Sequence, residues 1–501
     1  MARKVADGRI EFGLQQRLAD NSWSDRMLPS RRFFPTTATV GHWLVSSPLT
    51  LGARIVARKV ADGRIEFGLQ QRLADNSWSD RMLPSRRFFP TTATVGRWLV
   101  SSPLTLRTGA AESEPASSVG VDGNGHAACR PRGIHNDTVG FPLPPVFLRA
   151  TGTVRVAVLF LDFPNAEATH TTRQESASAL AHIETYLEGA SYGRLDLQFE
   201  PLHRWLRAEH DYDEYNLDGQ SIWDGRRWVT VGVTPQAEAV RLADPHLDFT
   251  GYGMALVVMP SSHFWAGAAG VQSPPLTTAE DDIAHAPVVN SWVRSDRPGE
   301  PFDWGDVMAH EMAHSFGLAD LYPHIVDRPE RPASTTWAYA RFGLMGLDVY
   351  YPAIGDNASY VTHPEMLAWS RWQLGWLTTG QVRCVTEGDA TVVLSPVADP
   401  GDGTAMAAIP LSDTEVIVVE SRRRIGYDDI PWGSDGVLVY TVDSTLDSGA
   451  LPLKIGDDTG SGTIDRSPFL TEGESLSLRG YTITVRSATS TADTVVITRS
   501  G

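Results

Sequence analysis

One fifteen-residue run constrains this chain more than any other: His310-Glu311-Met312-Ala313-His314-Ser315-Phe316-Gly317-Leu318-Ala319-Asp320-Leu321-Tyr322-Pro323-His324. Two histidines stand four apart with a glutamate after the first, and a glycine and an aspartate follow at three-residue steps. On a helix, residues four apart lie one above the other on one face. His310 and His314 can therefore present two imidazoles to one zinc ion, with Glu311 placed to take a proton from a metal-bound water. Gly317 can end the helix, because glycine enters the left-handed conformation cheaply. The chain can then return Asp320 as a third ligand, leaving one coordination position open, as a catalytic site requires.

The flanking residues predict a helix. Asp303 and Asp306 precede an apolar series at Val307, Met308, Met312 and Phe316, spaced for one buried face. Acidic residues at a helix start also suit its dipole. The competing reading of the same pattern is a buried amphipathic helix whose two histidines are satisfied by the core.

The run resembles the zinc-binding helix of the immune-inhibitor-A-like metallopeptidases, a metzincin-like branch of the zincins. Four further stretches resemble that family, in the family's order. Val154-Arg155-Val156-Ala157-Val158-Leu159-Phe160-Leu161-Asp162-Phe163-Pro164 is similar to its opening strand, and Tyr186-Leu187-Glu188-Gly189-Ala190-Ser191-Tyr192-Gly193-Arg194-Leu195 to its helix-to-strand step. Gly343-Leu344-Met345-Gly346 resembles the methionine turn beneath the metal, and Trp369-Ser370-Arg371-Trp372-Gln373-Leu374-Gly375-Trp376-Leu377 the Leu-Gly-Trp segment. The resemblance spans about residues 150 to 445.

It implies a zinc-dependent endopeptidase acting on protein or peptide substrates, with one catalytic ion held by His310, His314 and Asp320. Zinc lowers the pKa of bound water to about 7 and polarises a carbonyl. Glu311 is then the general base that later delivers the proton to the leaving amine. Two alternatives stay open for the third ligand: Asp320 in an outer shell, or His324 in its place. Tyr322 can hydrogen-bond an oxyanion or simply pack. Met345 is read as soft apolar support under the site and not as a ligand.

Charge excludes some partners. A net charge of −17 argues against general nucleic-acid binding. The sequence has no apolar run of about 18 residues, so no transmembrane segment is expected. Hydrophobic content of 42% and charged content of 21% are those of a globular chain, long enough for two to four domains. The charge is uneven: residues 1–106 hold 16 basic and 8 acidic side chains, net +8, and the remainder 27 against 52, net −25. A basic front end can dock on an anionic surface or on the acidic body; two ordinary solvated surfaces are the plainer reading.

That front end is a tandem repeat. Residues 2–51 recur as 57–106 with one difference, His42 against Arg97. Such near-identity points to a recent duplication or an assembly artefact, because maintaining a fold tolerates far more drift. Within each copy, Gly8 to Gln15 alternates apolar and polar residues, Asp20-Asn21-Ser22 is a turn signal, Trp23 to Phe34 gives a second extended piece, and Trp43-Leu44-Val45 with Pro48 to Leu51 a third. Two β-meander units are expected, 1–56 and 57–106. They suit a spacer, a pro-region or binding to a cell-surface polymer.

The whole is expected to be an α+β multidomain chain. A small, polar linker spans 107–145, and a metzincin-like α/β zincin catalytic domain spans 146–380. Its strands are expected near 154–161 and 253–259, and its helices near 173–189, 304–316 and 363–373. An all-β, sandwich-like module covers 381–501, with strands at Ala390–Leu394, Glu415–Glu420, Gly436–Tyr440 and Tyr481–Val485. The stretch from Glu420 through Arg422 and Asp428 to Asp443 also resembles a segment that follows the family's catalytic core, which leaves the boundary near 380 open. Asp211-Tyr212-Asp213 and Asp457-Asp458 are candidate Ca2+ loops without a full ligand pattern, so solvated loops are the plainer reading.

Cys129 and Cys384 are the two cysteines. They can join in a disulfide in an oxidising compartment. Alternatively, the Cys129 thiolate can fill zinc's open position and hold the enzyme latent. Met1-Ala2-Arg3-Lys4 is not followed by an apolar core of about 7–15 residues, so no signal peptide is visible. The family resemblance nonetheless implies a secreted protein, in which case a signal would have to lie upstream of this start; a cytoplasmic enzyme is the alternative. The second functional reading is a catalytically silent zincin-like binding or adhesion protein that uses its β repeats.

Overall fold

The computed structural model describes eight short strands within 1–121 and, beyond them, residues 126–134, 138–215, 221–223, 228–230, 232–260, 267–268, 271–290, 304–322, 342–346, 364–386, 388–428, 435–456 and 468–499. The chain divides into two compact units, Met1–Val121 and Asp122–Gly501. It is α+β, with more sheet than helix among the described residues. No described helix is long and apolar enough to cross a membrane.

The first unit contains two four-stranded antiparallel sheets. One runs Arg32–Phe34, Ile10–Phe12, Ala2–Lys4, Trp98–Leu99; the other runs Trp43–Val45, Ala53–Lys59, Ile65–Gln71, Arg87–Phe89. Each sheet thus takes its fourth strand from the other repeat. This pairing differs from two self-contained meanders split at 56. The short 46–52 connection makes a hairpin of Trp43–Val45 and Ala53–Lys59, and short connections favour antiparallel neighbours over the repeat boundary.

The second unit is built on a five-stranded sheet. Its order is Leu195–Arg207, Gly152–Asp162, Met254–Met259, Val288–Asn290, Gly267–Ala268. The first four strands are parallel, and the last is an antiparallel edge. Strands of a parallel sheet are covered on both faces and read as continuous apolar runs. The Gly152–Asp162 strand shows this: Val156, Val158 and Phe160 enter one core, and Ala157, Leu159 and Leu161 another. The first core also takes Ile183, Tyr186 and Leu187 from the Thr172–Ala190 helix, and Met308 and Met312 from the Gly305–Ser315 helix with Phe316 at its C-cap. The second is closed by Ala239, Val240 and Phe249.

Residues 381–501 do form two packed sheets. One runs Val382–Cys384, Met406–Pro410, Glu415–Arg422, Gly436–Asp443, Leu453–Ile455; the other runs Ala390–Leu394, Asp493–Arg499, Tyr481–Ala488, Ser475–Leu478. Ile417, Val419, Val437 and Val439 face Val392, Ile483, Val485 and Val495 of the second sheet. The alternate residues Val416, Val418, Leu438 and Tyr440 belong to the same core as the Gly305–Ser315 helix. The first of these sheets is therefore a shared wall, and no cleavage of the fold falls near 380.

Nor is all of 107–145 a tether. Residues 107–125 and 135–137 lie outside the described residues, but 126–134 and 138–150 are strapped along the core. Trp369 Nε1 donates to Val139 O at 2.8 Å, and Gln373 Nε2 to Thr138 O and Gly140 O at 3.2 and 3.1 Å. Trp376 Nε1 donates to Ala150 O at 2.6 Å. Cys129, fully buried, is bonded to Cys384. That bond corrects the latency reading, because a disulfide sulfur inside the core offers no thiolate to a metal. The helix expected over 363–373 is shorter, Ala368–Gln373. Asp428 Oδ1 and Glu420 Oε2 take the N–H groups of Glu365 and Ala368, so the helix starts where a distant carboxylate caps it.

The disulfide closes a long loop and pins the strap. Replacing both cysteines by serine is expected to lower stability by about 2–4 kcal/mol in non-reducing denaturant titrations.

Candidate metal centre

The Gly305–Ser315 helix carries His310, Glu311 and His314, all but His314 buried, and Phe316 is its C-cap. Its N-cap position is Trp304, with no side-chain cap; Asp303 and the Asp306 side chain lie outside the described residues. Gly317 follows with φ +97°. Leu318 N reaches back to Ala313 O at 3.1 Å and Gly317 N to His314 O at 2.9 Å, so the last carbonyls are satisfied by a glycine-dependent turn. A Cβ at Gly317 would stand 2.9 Å from Phe147 Cδ2 of the strap.

The turn brings Asp320 back over the histidines. Asp320 Oδ1 lies 3.0 Å from His310 Nε2 and 3.3 Å from His314 Nε2. His310 Nδ1 donates to Leu344 O at 2.8 Å, and His314 Nδ1 to Leu318 O at 2.7 Å. A carbonyl only accepts, so both Nδ1 atoms carry hydrogen and both Nε2 atoms turn toward Asp320, whose carboxylate can accept a proton from them or share a metal ion with them. The 343–346 turn is held to the segment after the helix as well, through Leu321 N to Met345 O at 3.0 Å. Met345 itself is buried in the core under the helix.

Three donor atoms that all lie within 4.8 Å of one another can hold a metal ion. Tetrahedral zinc with bonds of about 2.0–2.1 Å spaces its ligand atoms about 3.3 Å apart, close to the two distances from Asp320 Oδ1 to the histidine nitrogens. The donor set also fits chemically: two nitrogens and one carboxylate oxygen, with both histidines oriented by backbone carbonyls. Among the described residues no second such group occurs. Asp211 and Asp213 lie at a short turn in which Asp211 N donates to Glu214 Oε2, and Asp457, Asp458 and His324 lie outside the described residues. The Tyr322 ring centroid is 6.2 Å from that of His310.

Burial raises the Glu311 pKa above the usual carboxylate range; His310 and His314 pull it back, and Asp320 adds to the rise. Burial works against charge on His314, yet the hydrogen bond and charge of Asp320, with Glu311, raise it to about 9.

Behind the centre stands a layer of buried charge that the motif gave no sign of. Arg422 donates to Asp428 Oδ2 and Oδ1 at 2.6 and 2.7 Å, to Glu420 Oε1 at 2.9 Å, to Glu365 O at 2.9 Å and to Phe342 O at 3.1 Å. Phe342 leads directly into the 343–346 turn. Arg371, equally buried, pairs with Glu365 and with Tyr192 Oη. The sequence did flag the Glu420 to Asp443 stretch by resemblance, but Glu365 carried no signal. Ser448 also reaches the centre: Asp320 N donates to its Oγ at 2.9 Å.

No family model and no curated protein matches this chain. Among solved structures it is similar to wild-type OgpA from Akkermansia muciniphila, at 12% identity, over 70% of this chain and 94% of that one. The TM-score of 0.22 is too low to carry an argument about fold or activity.

Two substitutions test this geometry. Gly317→Ala must hold alanine at positive φ against Phe147, and is expected to cost about 1–3 kcal/mol and to weaken metal binding. Arg422→Leu leaves two buried carboxylates unpaired; a loss of about 3–5 kcal/mol is expected in thermal or chemical unfolding.

Proposed function

We propose that the chain is a zinc-dependent endopeptidase of the metzincin-like kind, acting on protein or peptide substrates. The observation that carries the reading is the convergence of His310 Nε2, His314 Nε2 and Asp320 Oδ1, with Glu311 buried on the same helix. A bound zinc ion would supply Lewis acidity, lowering the pKa of water and polarising a carbonyl.

The chain's own residues do the rest. Leu344 O and Leu318 O fix the tautomer and tilt of the two imidazoles. Glu311, with its pKa raised by burial, accepts a proton from the attacking water and returns it to the leaving amine. Asp320 balances charge beside both histidines and is the third ligand in this reading. The Cys129–Cys384 disulfide supports export, since such bonds persist in oxidising compartments.

Glu311→Gln is expected to lower casein hydrolysis by about 100- to 10,000-fold while the protein keeps its zinc. A chelator should abolish wild-type hydrolysis and zinc should restore it. Undiminished hydrolysis by Glu311→Gln would remove that residue from the reaction. Zinc held without any hydrolysis would favour the silent binding protein instead.

A further inference from the structure

The Gly436–Asp443 and Leu453–Ile455 strands pair antiparallel, and the 444–452 loop between them reaches the metal centre. At its tip, Ser448 Oγ accepts from Asp320 N at 2.9 Å and donates to Asp320 Oδ2 at a longer 3.4 Å. Gly449 N donates to Asp320 O at 3.2 Å. We propose that Ser448 is a positioning residue that fixes which carboxylate oxygen of Asp320 faces the metal, so that the C-terminal sheet completes the centre. This rests on the metal-binding reading above.

The chemistry is specific to a hydroxyl. An aspartate's terminal torsion is broad, so nothing intrinsic decides which oxygen points at the histidines. Oδ1 stands 3.0 Å from His310 Nε2, which leaves Oδ2 to find its own partner. A serine can accept one hydrogen bond while donating another, and Ser448 does both to the same residue. Backbone and side chain of Asp320 are thereby referred to one atom.

The loop is built to hold that atom still. Ser448 N donates to Asp447 Oδ1 at 2.9 Å and Ala450 N to Asp447 O at 3.0 Å. Asp443 N closes the base on Pro452 O at 2.9 Å, and Ser444 Oγ donates to Arg132 O of the strap at 2.8 Å. Leu451 sits at φ +60°, a conformation that a branched side chain adopts only where its surroundings impose it. Removing the hydroxyl takes away the Ser448 bond to Oδ2, with little effect on the core, because Ser448 is only half-buried.

The test compares wild type with Ser448→Ala, Ser448→Val and Ser448→Thr in the full chain. Zinc affinity is read by competition with a chelator, and the visible spectrum is read with cobalt(II) in place of zinc. Ser448→Ala and Ser448→Val should lose about 10- to 100-fold in zinc affinity and shift the cobalt bands, with melting of the metal-free protein unchanged. Ser448→Thr, which keeps the hydroxyl, should stay within about threefold of wild type. Valine has the shape of threonine without the hydroxyl, so that pair decides the matter should the alanine variant not fold. Wild-type affinity and spectrum in the alanine or valine variant would overturn the role of Ser448 and leave the metal centre standing. A threonine variant as weak as alanine would also overturn it. A wild-type protein that binds no zinc would overturn both readings.

Discussion

The Nδ1 hydrogens of His310 and His314 are donated to Leu344 O and Leu318 O at 2.8 and 2.7 Å, and the rest of the site depends on those two bonds. They set both imidazoles with Nε2 toward one point before any cation arrives. Each carbonyl comes from a turn that something else must hold. The Leu318 turn needs Gly317 at φ +97°. The Leu344 turn is tied to the segment after the helix by Leu321 N and to the C-terminal sheet by Arg422 through Phe342 O. Remove either anchor and the helix still forms, but its histidines lose their aim.

The anchoring is done largely by buried charge. A guanidinium taken out of water needs partners for its donors. Arg422 finds one for each, in two carboxylates and two carbonyls; Arg371 pairs both terminal nitrogens, with Glu365, Tyr192 and Val397 O, and falls short only at its buried Nε. These contacts join residues from 192 to 428 into one frame. They also explain why the sheet beginning at Val382 shares a core with the motif helix instead of forming a module apart. Burying such pairs adds little stability compared with an apolar core. What it does give is register: the guanidinium fits one arrangement of turn, helix and strand.

Much of this was legible in the sequence, and the limits have physical causes. His310, His314 and Asp320 could be placed together because helical spacing and a glycine stop are local rules, and the structure brings these residues to one point. The apolar run from Val156 to Leu161 and the strands at 390–394, 415–422, 436–443 and 481–488 follow from local period and composition. What could not be read is what depends on contacts between distant residues. The carbonyls of Leu318 and Leu344 have no signature in sequence. Glu365, Ser448 and the strap act across separations that no local pattern records. The strand exchange between the two repeats was hidden for the same reason, since a near-identical copy offers two equivalent partners for every strand.

The central claim is that one divalent cation is gripped by His310, His314 and Asp320. It is tested most directly by X-ray absorption spectroscopy at the zinc edge on the purified, zinc-loaded chain. The account predicts a four-coordinate shell with two imidazole nitrogens at about 2.0–2.1 Å and oxygen filling the rest. A shell without the two imidazoles, or a protein that takes up no zinc, would contradict it.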